Sequence, residues 1–220
     1  MTSAGPSLLL AVGSLILGLA ASVLWTLTRY LIIAAHEGGH ALFGSATGGE
    51  VESIRLHPDS SGLTVTINGS PFLTSVSGYL GPSLFGLAGA TMLAHGLSPD
   101  AVLWTCVVLL VITFVQMRNF FGFFIIGLYG TLFFLLARHG SPGVRALSAY
   151  TLVWFLLLGG VIHTALGNLK AGDSTNLREM TMIPAGFWGA FWWLATLAAL
   201  VYGAGVLLGF IDPVFQRAPE

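Results

Sequence analysis

Along the chain, long uncharged apolar runs alternate with short polar breaks. A helix that crosses a bilayer needs about 20 apolar residues at 1.5 Å of rise each. Leu8 to Leu27 carries no charge and predicts a first span. Thr28-Arg29-Tyr30 interrupts it, and a second helical stretch runs from Leu31 to Phe43. One straight helix over both would be about 54 Å long, more than a hydrocarbon core, so a bend near Arg29 or a deep polar pocket is expected. Further spans are predicted over Phe72–Ala94, Ala101–Met117, Phe120–Ala137, Arg145–Ile162 and Phe187–Phe210.

Residues 50 to 69 follow a different period. Leu63, Val65 and Ile67 alternate with Thr64 and Thr66, as in a half-buried strand. Val51 to His57 precedes them, and Pro58-Asp-Ser-Ser-Gly62 between is turn chemistry. A short β-hairpin at a membrane interface or in a protein-lined cavity is predicted, because open sheet edges do not face lipid.

Composition narrows the class. Hydrophobic residues make up 55% of the 220, charged residues only 8%, and the mean hydropathy is +0.86. Soluble domains carry about 25% charged residues, so a cytosolic enzyme, a disordered chain and a disulfide-stapled secreted domain are all excluded. Eight basic against nine acidic residues, with no basic run, give no support for nucleic-acid binding. Cys106 is the single cysteine and reads as a small buried hydrophobe. No positive residue precedes the first apolar stretch, which favours a retained span over a cleaved signal peptide. The expectation is one membrane-embedded domain over 1–220, an all-α polytopic protein of about six transmembrane helices plus an HExxH-bearing helix. Its parts are a first span (8–27), that helix (30–45), an interfacial hairpin (50–69) and the remaining spans (72–210).

The chemistry concentrates in His36-Glu37-Gly38-Gly39-His40. Helical residues four apart lie about 40° apart around the axis, so both imidazoles face one way and can fill two positions of a tetrahedral zinc site. Glu37 projects about 100° from His36 and can act as general base on a water at the metal without ligating it. Three ionisable residues within an apolar stretch are expensive to desolvate and mark function. Gly38 and Gly39 cost roughly 1 kcal/mol each in a helix interior. They leave room either for a neighbouring helix or for a substrate backbone. Hydrolytic zinc sites use three protein ligands, and Asp173, Asn119, His57, Asp59 and His163 are the candidates for the third. Asn119 is equally suited to binding substrate backbone or an oxyanion, and His163 to a helix C-terminus.

Several features together resemble the site-2 protease family, and more narrowly a compact actinobacterial branch of membrane zinc peptidases. They are His36-Glu-Gly-Gly-His40, the hairpin with Ile54-Arg-Leu-His57 and Ser61-Gly-Leu-Thr64, and Gly78-Tyr-Leu-Gly-Pro82. Arg118-Asn119 followed by Phe121-Gly122, and Trp154-Phe-Leu-Leu157, belong to the same set, as do Asp173, Leu177, Thr181, Pro184 and Trp188. The resemblance implies intramembrane proteolysis, with zinc held by His36, His40 and an aspartate, and with Glu37 activating water. Typical members carry that aspartate in a Leu-Asp-Gly segment of a later span. The corresponding Arg118-Asn-Phe-Phe-Gly122 has no acid, which leaves Asp173 as the surviving carboxylate. The expected protein is a zinc metalloendopeptidase, multi-pass in a bacterial cell membrane, acting on a membrane protein or peptide. The alternatives are a non-catalytic membrane scaffold retaining the family fold and a metal-binding carrier.

Overall fold

Three helices begin with the same dipeptide. Ser70-Pro71, Ser98-Pro99 and Ser141-Pro142 open α3 (Pro71–Ala94), α4 (Pro99–Gln116) and α6 (Pro142–Ala165). Each serine Oγ accepts the amide of the third helical residue, at 3.3 to 3.4 Å. Each proline sits where a helix has no use for its missing N–H. The structure, a computed structural model, describes residues 7–168 and 170–211. Among them are also α1 (Leu8–Val23), α2 (Trp25–Ala46), β1 (Glu50–Leu56), β2 (Gly62–Ile67), α5 (Phe120–His139), α7 (Asp173–Thr181) and α8 (Ala185–Leu207).

The all-α polytopic architecture with one small hairpin is as expected. Among the described residues, α4, α5, α6 and α8 are long and apolar enough to cross a membrane, and α1 with α2 adds a fifth if the bent pair counts as one span. α3 has 24 residues but spends much of its length on Ser, Thr and Gly, of which Gly78 and Gly81 face α2 and Gly86 and Gly89 face α6. The bend between α1 and α2 is 98° and falls at Leu24, not near Arg29, so the first helix stops at Val23 and not at Leu27. The Thr28 hydroxyl explains the position: it donates to the Ala21 carbonyl across the break at 2.7 Å, satisfying a group freed by it.

Glycines set the helix spacing. A Cβ on Gly39 would stand 2.6 Å from the Ser77 carbonyl oxygen, and one on Gly81 would strike the Ala35 carbonyl, so α2 and α3 meet backbone to backbone. Gly38 differs: its added Cβ would meet Phe85 at an ordinary 3.5 Å, and it lines an apolar cavity of about 310 Å³ between α2, α3, α4 and α6. The two glycines thus divide the roles that the sequence left open, Gly39 for helix approach and Gly38 for space.

β1 and β2 pair antiparallel, Ile54 opposite Thr64 and Leu56 opposite Gly62, around the loop 57–61, in which Ser60 has φ 72°. The alternation is as expected, but the buried face is the other one. Thr64 bonds to Glu37 of α2 and Thr66 lies against Gly44, while Leu63 and Ile67 are each 50% exposed. The threonine face packs on α2 because it supplies hydroxyls to a helix carrying a buried carboxylate.

Gly81→Ala places a methyl against backbone that has no room to yield, and should cost about 1–3 kcal/mol. Gly38→Ala has room and gains helix propensity of up to about 1 kcal/mol. Thermal unfolding of the detergent-solubilised variants should therefore move in opposite directions.

Candidate metal centre

His36, Glu37 and His40 lie on one stretch of α2, all buried, with Glu37 only 3% exposed. Close approach of α3 supplies their surroundings. His40 Nδ1 stands 2.7 Å from the Thr74 carbonyl oxygen, so that nitrogen is the donor and Nε2 keeps its lone pair. Gly78, one helical turn on, faces the two rings; a Cβ there would come within 2.7 Å of His36 Nε2, and would also collide with the His40 ring. The absence of a side chain leaves a cradle between the imidazoles.

Asp173 fills the open side. It is the first residue of α7, whose Leu177 is fully buried against Trp188 and Trp192 of α8, with Val76, Tyr79 and Leu80 of α3 around them. That small apolar cluster folds a polar segment back over α2. At the far end of α7, Met182 adopts the left-handed conformation and its N–H returns to the Arg178 carbonyl at 2.8 Å. Asp173 Oδ2 lies 3.2 Å from His36 Nε2 and 3.3 Å from His40 Nε2, and the two Nε2 atoms are 3.0 Å apart.

These separations test whether zinc fits. Ligands at about 2.0–2.1 Å from a tetrahedral ion stand about 3.3 Å from one another. The three donor atoms form a triangle of nearly that edge, which a single ion would cap. Two imidazoles and one carboxylate are also a donor set suited to zinc. Among the described residues this is the one such group of His, Cys, Asp or Glu.

Glu37 points aside from the triangle, toward the hairpin. Its Oε2 accepts the Thr64 hydroxyl at 2.7 Å, and its carboxylate lies so close to Gly62 that any side chain there would collide with it. The other candidates for a third ligand are elsewhere. His57 and Asp59 sit in the hairpin loop, where Asp59 Oδ1 accepts the Ser61 amide at 3.0 Å and hydroxyl at 2.7 Å. His163 Nε2 approaches His36 at Nδ1 (3.1 Å), on the side of the ring away from the triangle.

Asn119 is a clamp. Its Nδ2 donates to the Leu56 carbonyl at 2.6 Å and its Oδ1 accepts the Leu56 amide at 3.2 Å, while Arg118 N donates to the Ile54 carbonyl at 3.0 Å. With the isolated parallel bridge between Met117 and Ile54, the turn between α4 and α5 closes the β1 edge, and the Asn119 side-chain amide takes the place of a further peptide unit. Gly122 makes this possible, since a Cβ there would strike Asn119 Oδ1 and Met117 Sδ. Thr74 carried no signal in the sequence; Gly78 stood out as the start of Gly78-Tyr-Leu-Gly-Pro82, and Gly62 and Thr64 as members of Ser61-Gly-Leu-Thr64, without these supporting roles.

A family model described as Peptidase M50B-like matches residues 8–203. The chain belongs to the Peptidase M50B-like family. The match runs from α1 into α8, so it contains the HExxH helix, the hairpin and α7 together. No curated protein and no solved structure matches the chain. Membership in a peptidase family accords with a buried group of two histidines and an aspartate beside a glutamate.

Replacing Asn119 with Ala leaves the Leu56 N–H and C=O without partners, at about 1–3 kcal/mol for each buried group. The Leu56 amide should then exchange its hydrogen faster by one to two orders of magnitude, as hydrogen-exchange measurement of the solubilised variant would read.

Proposed function

We propose that this chain is a membrane-embedded, zinc-dependent endopeptidase that hydrolyses peptide bonds within or near the bilayer of a bacterial cell. The observation that carries the reading is the donor triangle of His36, His40 and Asp173, with the Glu37 carboxylate alongside it. His36, His40 and Asp173 would hold the ion. Zinc bound there supplies a Lewis acid that polarises a carbonyl and makes water acidic at neutral pH. Glu37 takes the proton from the attacking water and returns it to the leaving amine. Its burial excludes competing solvent, and the Thr64 hydroxyl and Gly62 fix its orientation.

The substrate in this reading is a membrane protein or peptide segment in extended form, since a helix hides its carbonyls from attack. The hairpin supports it. His57 N donates to Ser61 O at 2.9 Å, and by antiparallel alternation Ile54, Leu56, Gly62 and Thr64 turn their backbone groups outward. The β1 edge is occupied by Arg118 and Asn119. Among the described residues no hydrogen bond from outside the hairpin reaches the backbone of Gly62 or Thr64. A strand added there lies next to Glu37.

Proteoliposomes holding the protein and a single-span substrate test the reading. Wild type should cleave and carry one zinc per chain. Glu37→Gln should keep the metal and lose turnover by at least about 10³-fold, as removal of a general base does. His36→Ala and Asp173→Ala should lose both metal and cleavage. Undiminished single-turnover cleavage by Glu37→Gln rejects the base assignment; metal-free wild type favours a scaffold, and zinc without proteolysis a carrier.

Val65 stands opposite Ser53, with its amide directed at β1. Val65→Pro removes that donor and loosens the hairpin. Cleavage should fall with zinc retained, and normal cleavage by a stably folded variant rules out docking on this strand.

A further inference from the structure

Of the two nitrogens that would ligate a metal, each has a partner on the opposite side of its ring, and the partners differ. His40 Nδ1 uses a main-chain carbonyl, that of Thr74. His36 Nδ1 uses a side chain from another helix: His163 Nε2, at 3.1 Å. We propose that His163 is a positioning residue of the metal centre, whose Nε2 accepts the Nδ1 proton of His36 and so keeps His36 Nε2 free and aimed at the ion. The proposal rests on the reading of His36, His40 and Asp173 as a zinc site.

The proton can lie only one way. If His36 Nε2 is to donate a lone pair, the ring proton is on Nδ1, and the group facing it must accept. His163 Nε2 is then the acceptor, which excludes it from ligating the same ion. The reverse arrangement, with His163 donating, would put the His36 proton on Nε2 and abolish its ligand role.

α6 is built to deliver this ring. One turn before His163, Gly159 and Gly160 bring the helix so close that a Cβ on Gly159 would stand 2.8 Å from Ile32 Cγ1, and one on Gly160 would collide with the Ser83 hydroxyl. α6 therefore rests directly on α2 and α3 beside the metal centre. The ring itself is held by Tyr79, whose ring lies 5.1 Å away at 30°, with Trp192 of α8 on Tyr79 in turn at 4.6 Å. Tyr79 also meets His36 edge-on at 4.8 Å. Tyr79 thus packs against both imidazoles, and the His163 ring stands edge-on to that of His36 at 5.0 Å.

Outer partners of ligating histidines typically set metal affinity by 10–100-fold. His163→Phe keeps a ring of similar shape and removes the acceptor; His163→Gln keeps an acceptor oxygen. The full chain in detergent, titrated with zinc against a chelator of known affinity, should bind 10–100-fold more weakly as His163→Phe, and His163→Gln should recover most of the loss. Wild-type affinity in folded His163→Phe overturns the proposal, as does a His163→Gln no better than His163→Phe. A second measurement needs no foldable Phe variant. Besides the Nδ1–H of His40, the ¹⁵N-histidine spectrum of the zinc-loaded wild type should show a slowly exchanging Nδ1–H, absent in His36→Ala, that shifts in His163→Gln and not in His95→Gln. Absence of that signal overturns the assignment while leaving the metal centre standing. Wild type that binds no zinc removes both readings together.

Discussion

Three acceptor atoms at the corners of a triangle with edges of 3.0 to 3.3 Å, inside an apolar helix bundle, are the constraint on which the rest depends. Lone pairs so close, and so poorly hydrated, repel unless a cation sits between them. The surrounding structure is organised to impose this arrangement. α2 presents two imidazoles, α3 withdraws its side chain at Gly78 and offers the Thr74 carbonyl, and α7 brings in the carboxylate. Each contribution is small, and none makes a site alone.

The approach of the helices is what lets these parts meet. In a membrane, helix association relies on packing more than on the hydrophobic effect, so small residues decide which backbones touch. Gly39 and Gly81 join α2 to α3, and Gly159 and Gly160 join α6 to both. His36, Glu37 and His40 occupy the same stretch of α2 as these contacts. A helix that could slide by a residue would break the donor triangle, and glycine-to-backbone contact prevents sliding because there is no side chain to rearrange.

The hairpin shows the same economy of parts. Its β1 edge is closed by Arg118 and the Asn119 amide, its threonine face rests on Glu37, and among the described residues no backbone from outside the hairpin pairs with its β2 edge. The turn between α4 and α5 thus closes one edge of the hairpin. The carboxylate beside His36 and His40 belongs to α7, which is held down by Leu177 and two tryptophans.

The sequence by itself determined a good deal. Apolar run length defines the helices, since a bilayer imposes a minimum span, and the spacing of His36 and His40 places both rings on one face because helix geometry is local. Period-2 alternation showed the hairpin, although not which face would be buried, since Leu63 and Ile67 belong inside a soluble protein and outside in a membrane. Only tertiary structure decided among Asp173, Asn119, His57, Asp59 and His163, because their distances to α2 depend on how α3, α6 and α7 pack and not on chain spacing. Tertiary structure likewise set the bend at Leu24 and made Asn119 a clamp. A side chain's chemistry is local, but its partner is chosen by contacts among residues more than 60 positions apart, as in Leu56 with Asn119 and His36 with His163.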